Sequence, residues 1–336
     1  MDQIQGGGIV FRLMQGVKIC LKSEPNRKLG IEFADYNRTV THEVTYPNNV
    51  KLSIQEICPS IFGDIREMNK ISQISLLKEW DIPQDKLTAS ESSGKSGSIF
   101  ILSNEKSFMI KSIEKREEKL LLRMIHDYHQ HLVTNPQSLL MKVLAFYSIK
   151  NTISRESYIM FNNLLKINVS IDEKYDLKGS TKDREASKVE RAKAVPCLLD
   201  NDFIAAQRKL HFGPVKAEFM KQLVADSSLL CRFDSMDYSF LVGIHKVKPE
   251  DKEFVQSQKS SIFYNSPLGD KVCTIISSDK TEIYFVGVID IFTFYDAEKR
   301  VANAAKSVKY SEDSLSTVNA QKYSSRFCTF VDSIID

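Results

Sequence analysis

The run Tyr284-Phe285-Val286-Gly287-Val288-Ile289-Asp290-Ile291-Phe292 constrains this chain more than any other segment. It reads as a strong strand over residues 283–290, and it sets a carboxylate inside an apolar stretch. Burying a carboxylate without a partner is costly, so Asp290 calls for a cation: a metal ion in the functional reading, an ion pair in the structural one. Two further acids stand beside hydrophobic runs. Asp237 lies in Ser-Met-Asp-Tyr-Ser-Phe-Leu-Val-Gly-Ile-His, residues 235–245, and Asp176 in Tyr-Asp-Leu-Lys-Gly-Ser, residues 175–180.

The basic counterpart lies in the first half. Residues 88–98, Thr-Ala-Ser-Glu-Ser-Ser-Gly-Lys-Ser-Gly-Ser, form a polar Gly/Ser loop followed by two short strands over 99–103 and 108–113. Gly94-Lys95-Ser96 is not a P-loop. Position 89 is Ala where that motif needs Gly, and strands follow the loop where a helix is required. The loop reads either as a plain surface connection or as a flap over a nucleotide, with Lys111 on the next strand placed to neutralise phosphates. A strand-end lysine facing water is the commoner explanation of Lys111 taken alone. Three acids with a flap lysine suit phosphoryl transfer: metal ligation, orientation of a hydroxyl and charge neutralisation. The His-Arg-Asp and Asp-Phe-Gly motifs of protein kinases are absent.

The rest of the chain gives a mixed reading. Apolar spacing predicts a helix over 9–23, and Thr/Val/Tyr enrichment predicts strands over 39–53 around Pro47-Asn48-Asn49. Ser53 and Glu56 suggest a capping box opening a helix to about Asn69. A charged helix is expected over 114–132, strands over 141–149 and 157–162, and helices near 200–210, 214–232 and 318–335. Residues 247–280 read as an insertion or loose loop. His126, His129 and His131 lack a convincing ligand spacing and read as satisfied structural side chains. Residues 299–309, Lys-Arg-Val-Ala-Asn-Ala-Ala-Lys-Ser-Val-Lys, carry four basic residues and no acid. They read as an amphipathic helix drawn to anionic lipid or, equally, as a solvated helix.

A chain of 336 residues can bury a sizeable core in one large or two ordinary domains. With Lys+Arg 46 against Asp+Glu 43, a basic surface must be local. The six cysteines are scattered and form no C-x-x-C pair, so they read as thiols in a reducing compartment. No secretory signal or bilayer-length apolar run is evident. The expectation is a cytosolic or nuclear protein whose membrane contact is peripheral.

Five motifs in order then identify a relationship. Tyr175–Ser180, Arg184–Ser187, Asp200–Phe203, Met236–His245 and Gly287–Asp296 together resemble the phosphatidylinositol phosphate kinases, over nearly the whole chain from about residue 9. The resemblance implies an α+β, two-lobed kinase-like fold with antiparallel sheets and flanking helices. An N-terminal lobe over 1–165 would carry dimerisation elements, flap and phosphate lysine; a C-terminal lobe over 166–336 would carry the catalytic motifs and a membrane-docking specificity loop. It implies ATP as co-substrate and Mg²⁺ on Asp290. Lys111, Gly94 and Gly97 would serve the nucleotide, and Asp237, Asp176 and Lys111 the catalytic centre. Lys178 and Arg184 would face the inositol phosphate, with Lys299, Arg300, Ala302, Lys306 and Lys309 in the loop that meets the lipid. Its partners would be a phosphoinositide in anionic membranes and a second copy of the chain, with no nucleic acid; a pool on the cytosolic face of membranes, and a nuclear one, would follow. Residues 282–286 and 299–327, and Ala302 where type I enzymes usually carry Glu, resemble the type II enzymes, which phosphorylate the 4-hydroxyl of phosphatidylinositol 5-phosphate. The alternatives are a phosphatidylinositol 4-phosphate 5-kinase and a weakly active phosphoinositide-binding scaffold. One departure is Leu199, where the family usually has Lys before the Asp-x-Asp-Phe motif.

Overall fold

The computed structural model describes residues 3–23, 30–45, 51–83, 89–91, 97–150, 155–258, 261–263, 272–294 and 318–336. The chain divides into two units, residues 1–129 with 142–163, and residues 130–141 with 164–336.

The first unit is built on a seven-stranded antiparallel sheet. Its strands are β1 (Thr39–Thr45), β2 (Lys51–Ile57), β3 (Ala89–Glu91), β4 (Ile99–Leu102), β5 (Phe108–Ile113), β6 (Val143–Lys150) and β7 (Arg155–Asn162). They lie in the order β1-β2-β6-β7-β5-β4-β3. Helix α1 (Gln3–Ser23) buries Val10, Leu13, Met14, Val17, Cys20 and Leu21, an apolar stripe at helical spacing. It meets β1 and β2 closely because Gly16 has no side chain: a Cβ there would stand 2.6 Å from Ile54 Cδ1. Helices α2 (Pro59–Met68) and α3 (Gln73–Glu79) follow. Helix α4 (Lys115–Thr134) is tied to the sheet by Tyr128, whose hydroxyl accepts from the Val143 amide at 3.0 Å. Glu118 on α4 accepts from the Ser157 hydroxyl at 2.8 Å and from Arg155 at 2.7 Å.

The second unit holds a six-stranded sheet. Its strands are β8 (Glu173–Leu177), β9 (Cys197–Leu198), β10 (Ser239–Lys246), β11 (Ile262–Phe263), β12 (Cys273–Ile276) and β13 (Glu282–Ile289). The order is β11-β12-β13-β10-β8-β9, antiparallel except for the β8–β9 pair. Helices α5 (Lys188–Arg191), α6 (Asp200–Ala205), α7 (Lys216–Arg232), α8 (Lys252–Ser257) and α9 (Ala320–Ile334) flank it. Helices α7 and α9 pack together, α9 through Tyr323, Phe327 and Val331. Asp226 on α7 is fully buried. It accepts from the Leu139 amide and from His131 Nε2, both at 2.6 Å, and so fastens segment 130–141 into this unit.

Three sequence expectations are corrected. Ser53 and Glu56 form no capping box, because both lie within β2, paired with β1 and β6. The helix opens instead at Pro59, after Cys58 turns into the left-handed region at φ 50°. The supposed loose loop over 247–280 contains α8 and β12, and β12 is buried along its whole length against β13. Asp290 is not inside its strand: β13 ends at Ile289, and Asp290 is exposed just beyond it. The histidines are satisfied as expected. His129 bonds Tyr36 Oη at 2.8 Å and Asp64 at 2.9 Å, and His126 stacks edge-on against Tyr36.

Two glycines separate packing from propensity. A Cβ at Gly287 in β13 would meet Leu164 Cδ1 at 2.6 Å and the Leu139 carbonyl at 3.3 Å. Gly287→Ala is expected to destabilise by about 1–3 kcal/mol. At Gly63 in α2 the nearest atom to such a Cβ is Arg66 Nη2 at 3.6 Å. Gly63→Ala should be neutral or stabilising by up to about 1 kcal/mol, since helix propensity is all that changes. Urea denaturation of both variants checks the pair.

Candidate active site

The register of the second sheet decides which acids meet. Ser239 on β10 pairs with Ile289 on β13, and Leu241 pairs with Asp176 on β8. The start of β10 therefore lies beside the ends of β8 and β13. Asp237, two residues before β10, Asp290, one residue after β13, and Asp176 near the end of β8 all fall at this one end of the sheet. Asp237 and Asp290 both adopt left-handed backbone conformations, at φ 63° and 59°. Such a conformation costs an L residue roughly 1–2 kcal/mol, and Asp tolerates it better than most because its short side chain can bond locally. Its cost, stored twice at one sheet end, points to a demand on where these two carboxylates aim.

Lys178 is the cation at their centre. Its ammonium donates to Asp237 Oδ1 at 2.9 Å. Burial disfavours the charged form, but the carboxylates of Asp237, Asp176 and Asp290 outweigh that and hold the Lys178 pKa above the ordinary lysine value. The group contributes stability below the unfolded-state value, and that contribution is lost as pH rises through the higher folded value. Lys178 is therefore charged throughout the physiological range.

Asp200, at the start of α6 and fully buried, fixes where Lys178 stands. Its Oδ1 accepts from the backbone amides of Lys178 at 2.9 Å, Gly179 at 2.7 Å and Ser180 at 3.4 Å. Its Oδ2 accepts from Arg184 Nε at 2.7 Å, and Arg184 Nη2 donates to Asp176 Oδ1 at 2.6 Å. The turn itself needs glycine. Gly179 has φ +68°, and a Cβ there would stand 2.9 Å from Phe330 Cβ. Asp202 repeats the pattern next door, accepting from the amides of Ala186 and Leu199 at 2.9 Å each and from Arg191. Position 199, Leu here, thus caps α6 through its backbone. Tyr238 anchors the residue beside Asp237: its hydroxyl bonds Ser227 at 2.7 Å, and its carbonyl accepts from Tyr323.

In the first unit, Lys111 lies on β5 between β4 and β7. Its ammonium donates to Glu117 Oε1 at 3.0 Å, with both side chains largely buried. Glu117 stands in the first turn of α4, and its other oxygen accepts from the Glu114 amide at 2.9 Å. The acid is thus held by the helix start, and it holds the lysine. Gly97 is in the left-handed region with open space around it, in the connection between β3 and β4. Gly94, Lys299, Arg300, Ala302, Lys306 and Lys309 lie outside the described residues.

The structure thus brings Asp176, Lys178, Arg184, Asp237 and Asp290 together in one unit. Two nitrogens of Arg184, expected to face the inositol phosphate, are engaged by carboxylates. Sequence reasoning missed Asp200, Asp202 and Glu117. The only signals were Asp200 and Asp202 flanking Asn201 at a helix start, and Glu117 in the first turn after the lysine strand. Among the described residues no helix is long and apolar enough to cross a membrane.

Residues 82–334 match the family model described as Phosphatidylinositol-4-phosphate 5-Kinase. The chain is 33% identical over 322 residues to phosphatidylinositol 5-phosphate 4-kinase type-2 alpha of Homo sapiens, a match spanning 84% of this chain and 78% of that protein. It is 29% identical over 326 residues to the type-2 beta protein of Homo sapiens, spanning 85% and 78%. To the type-2 gamma protein of Xenopus tropicalis it is 34% identical over 323 residues, spanning 83% and 75%.

Removing the Asp200 carboxylate strands Arg184 and three amides in a buried site. Asp200→Ala is expected to cost about 3–5 kcal/mol, the scale of breaking one side of a buried pair. Arg191→Ala, whose side chain is 45% exposed, should cost no more than about 1 kcal/mol. Chemical denaturation of the two variants tests the contrast, and equal losses would refute the hub assigned to Asp200.

Proposed function

The chain belongs to the phosphatidylinositol phosphate kinase family and is a lipid kinase, and from that premise we propose that it transfers the ATP γ-phosphate to the 4-hydroxyl of phosphatidylinositol 5-phosphate. The observation that carries this reading is the gathering of Asp176, Asp237 and Asp290 around the Lys178 ammonium. Phosphoryl transfer asks a protein mainly for positioning and charge neutralisation, and this sheet end supplies both.

Asp237 takes the proton of the inositol hydroxyl as its oxygen bonds to the γ-phosphorus and the bond to the bridging oxygen of ADP breaks. Its ion pair with Lys178 keeps it aimed. Lys178 offers a charge to the substrate's existing monoester phosphate. Arg184, through Asp176 and Asp200, positions that lysine. Lys111, steadied by Glu117, neutralises nucleotide phosphates. A hard divalent cation fits the donor chemistry on the page, because Asp290 offers an exposed carboxylate beside further oxygen-only donors. Bound by Asp290, Mg²⁺ would supply charge neutralisation to the β- and γ-phosphates. Gly94 and Gly97 belong to the flap over the nucleotide in this reading. The basic residues Lys299, Arg300, Lys306 and Lys309 attract the chain to anionic lipid on the cytosolic face of a membrane, each adding about 1 kcal/mol near the surface.

The 5-phosphate substrate rests on the names of the relatives and on Ala302, where a loop carboxylate would alter which phosphate position is tolerated. Homodimerisation through the region 9–53 belongs to the same proposal; β1 is an edge strand of its sheet.

Labelled ATP, with vesicles carrying either monophosphate isomer, tests the reading. The expected result is phosphatidylinositol 4,5-bisphosphate from the 5-phosphate. Product from the 4-phosphate alone would overturn the regiochemistry, and no product from either would overturn the activity. Asp237→Asn should lower kcat by about 100- to 10,000-fold. Asp290→Asn should abolish turnover while vesicle binding persists; retained turnover would refute its metal role.

A further inference from the structure

A second cluster of donors lies in the first unit, on the face of the sheet beneath α1. In the β1–β2 register Val40 pairs with Glu56 and His42 with Ile54, so His42 and Glu56 are diagonal neighbours on one face. Glu56 also pairs with Tyr147 on β6. Helix α1 comes down onto this face at Gly16, and Cys20, one turn further along, follows it. Cys20 Sγ, a His42 ring nitrogen and a Glu56 carboxylate oxygen all lie within 4.8 Å of one another.

His42, Glu56 and Tyr147 each hold a buried atom without the partner that burial demands. Cys20 is fully buried and Glu56 only 3% exposed. Among the described residues, His42 Nε2, Glu56 Oε1 and Tyr147 Oη are buried atoms with no hydrogen-bond partner. One such atom is an expense for a folded protein, and three on adjacent side chains need a common explanation. His42 and Glu56 also line a cavity of about 820 Å³ within the same unit, bordered further by Arg38, Arg66 and Lys70. The cluster therefore has an open side.

We propose that Cys20, His42 and Glu56 bind a zinc ion, with the fourth position turned to the cavity and filled by water. A thiolate, an imidazole and a carboxylate make a borderline-soft set that suits Zn²⁺ and disfavours Mg²⁺ or Ca²⁺, which take oxygen ligands. The ion satisfies the His42 nitrogen and the Glu56 oxygen directly, and its water gives the Tyr147 hydroxyl a neighbour. The thiol proton leaves to solvent on binding, and the thiolate and carboxylate together balance the dication. The Arg66 guanidinium, donating to the Leu144 carbonyl nearby, then faces a neutral site. The ion clamps α1 to β1 and β2, three elements contributing one ligand each. The site stands apart from phosphoryl transfer and does not depend on that reading.

The test is made on the full chain, stripped with a chelator and reloaded with metal alone. Zn²⁺ competed against a chromophoric chelator should bind near one ion per chain. Co²⁺ in its place should give intense tetrahedral visible bands and a thiolate-to-cobalt charge-transfer band. Zn²⁺, but not Mg²⁺, should raise Tm as mass action requires. Cys20→Ala should abolish the charge-transfer band and weaken Zn²⁺ binding by about 100-fold or more. Glu56→Gln should weaken Zn²⁺ while keeping the charge-transfer band. The wild-type cobalt spectrum decides the matter even where a variant fails to fold. A wild-type chain with no charge-transfer band at excess Co²⁺, or a folded Cys20→Ala chain with unchanged Zn²⁺ affinity, overturns the proposal.

Discussion

A single buried carboxylate organises the catalytic unit. Asp200 has no access to water, and an isolated carboxylate there would be prohibitively costly. It is tolerated because both oxygens are used: three consecutive backbone amides on one and the Arg184 guanidinium on the other. That requirement reaches outward. The amides must converge, so the chain turns at Gly179 in a conformation and a space that admit no side chain. The turn fixes the Lys178 backbone, and Lys178 carries the ammonium that three functional acids share. Arg184, held by Asp200, in turn holds Asp176. The positions of the functional groups thus follow from satisfying one charge that does no chemistry.

The second constraint is backbone geometry at the sheet end. Antiparallel pairing of β10 with both β8 and β13 brings three chain crossings to one edge, and each contributes an acid. Pairing alone would leave the side chains beyond the strand ends free to point anywhere. The left-handed conformations of Asp237 and Asp290 set their direction. Tyr238 is the counterweight for Asp237: bonded to Ser227 on α7 and to Tyr323 on α9, and packed edge-on against Phe327 at 4.9 Å, it resists relaxation of its strained neighbour. A scaffold of two helices therefore bears on the direction of a single carboxylate.

What the sequence displayed and what it concealed divide along sequence distance. Strand β13 and the acid at its end were legible because a long apolar run and its punctuation are local. The same locality misled at Asp290, where continuity of hydrophobicity into Ile291 and Phe292 masked the point at which pairing stops. It misled again at Ser53, whose capping-box spacing with Glu56 is real, but β-pairing to His42's strand and to β6 outweighs a local cap. The partners of Asp200 lie 16 to 22 residues upstream, and two of those of Asp226 lie 87 and 95 residues upstream. No short window contains both halves of such an interaction. The order of motifs announced the family without revealing that two of them, at Arg184–Ser187 and Asp200–Phe203, are halves of one hydrogen-bond network. Segment 247–280 read as loose because its polar composition hides the four buried residues of β12.

Glu56 differs from the other buried acids, Glu118 of its own unit included, and the contrast carries weight. In the second unit Asp200, Asp202 and Asp226 each face several donors, so burial is compensated within the chain itself. In the first unit burial alone pushes Glu56 up to about 7, and one of its oxygens meets no donor among the described residues. Its neighbours on that face are a thiol, an imidazole nitrogen and a phenol, and His42 Nε2 and Tyr147 Oη are likewise unpartnered among the described residues. Asp200, Asp202 and Asp226 have donors on both oxygens, whereas Glu56 has a gap at one. A dication closes that gap with the groups already in place, and it needs no rearrangement of α1, because the Gly16 contact has already lowered Cys20 onto the sheet.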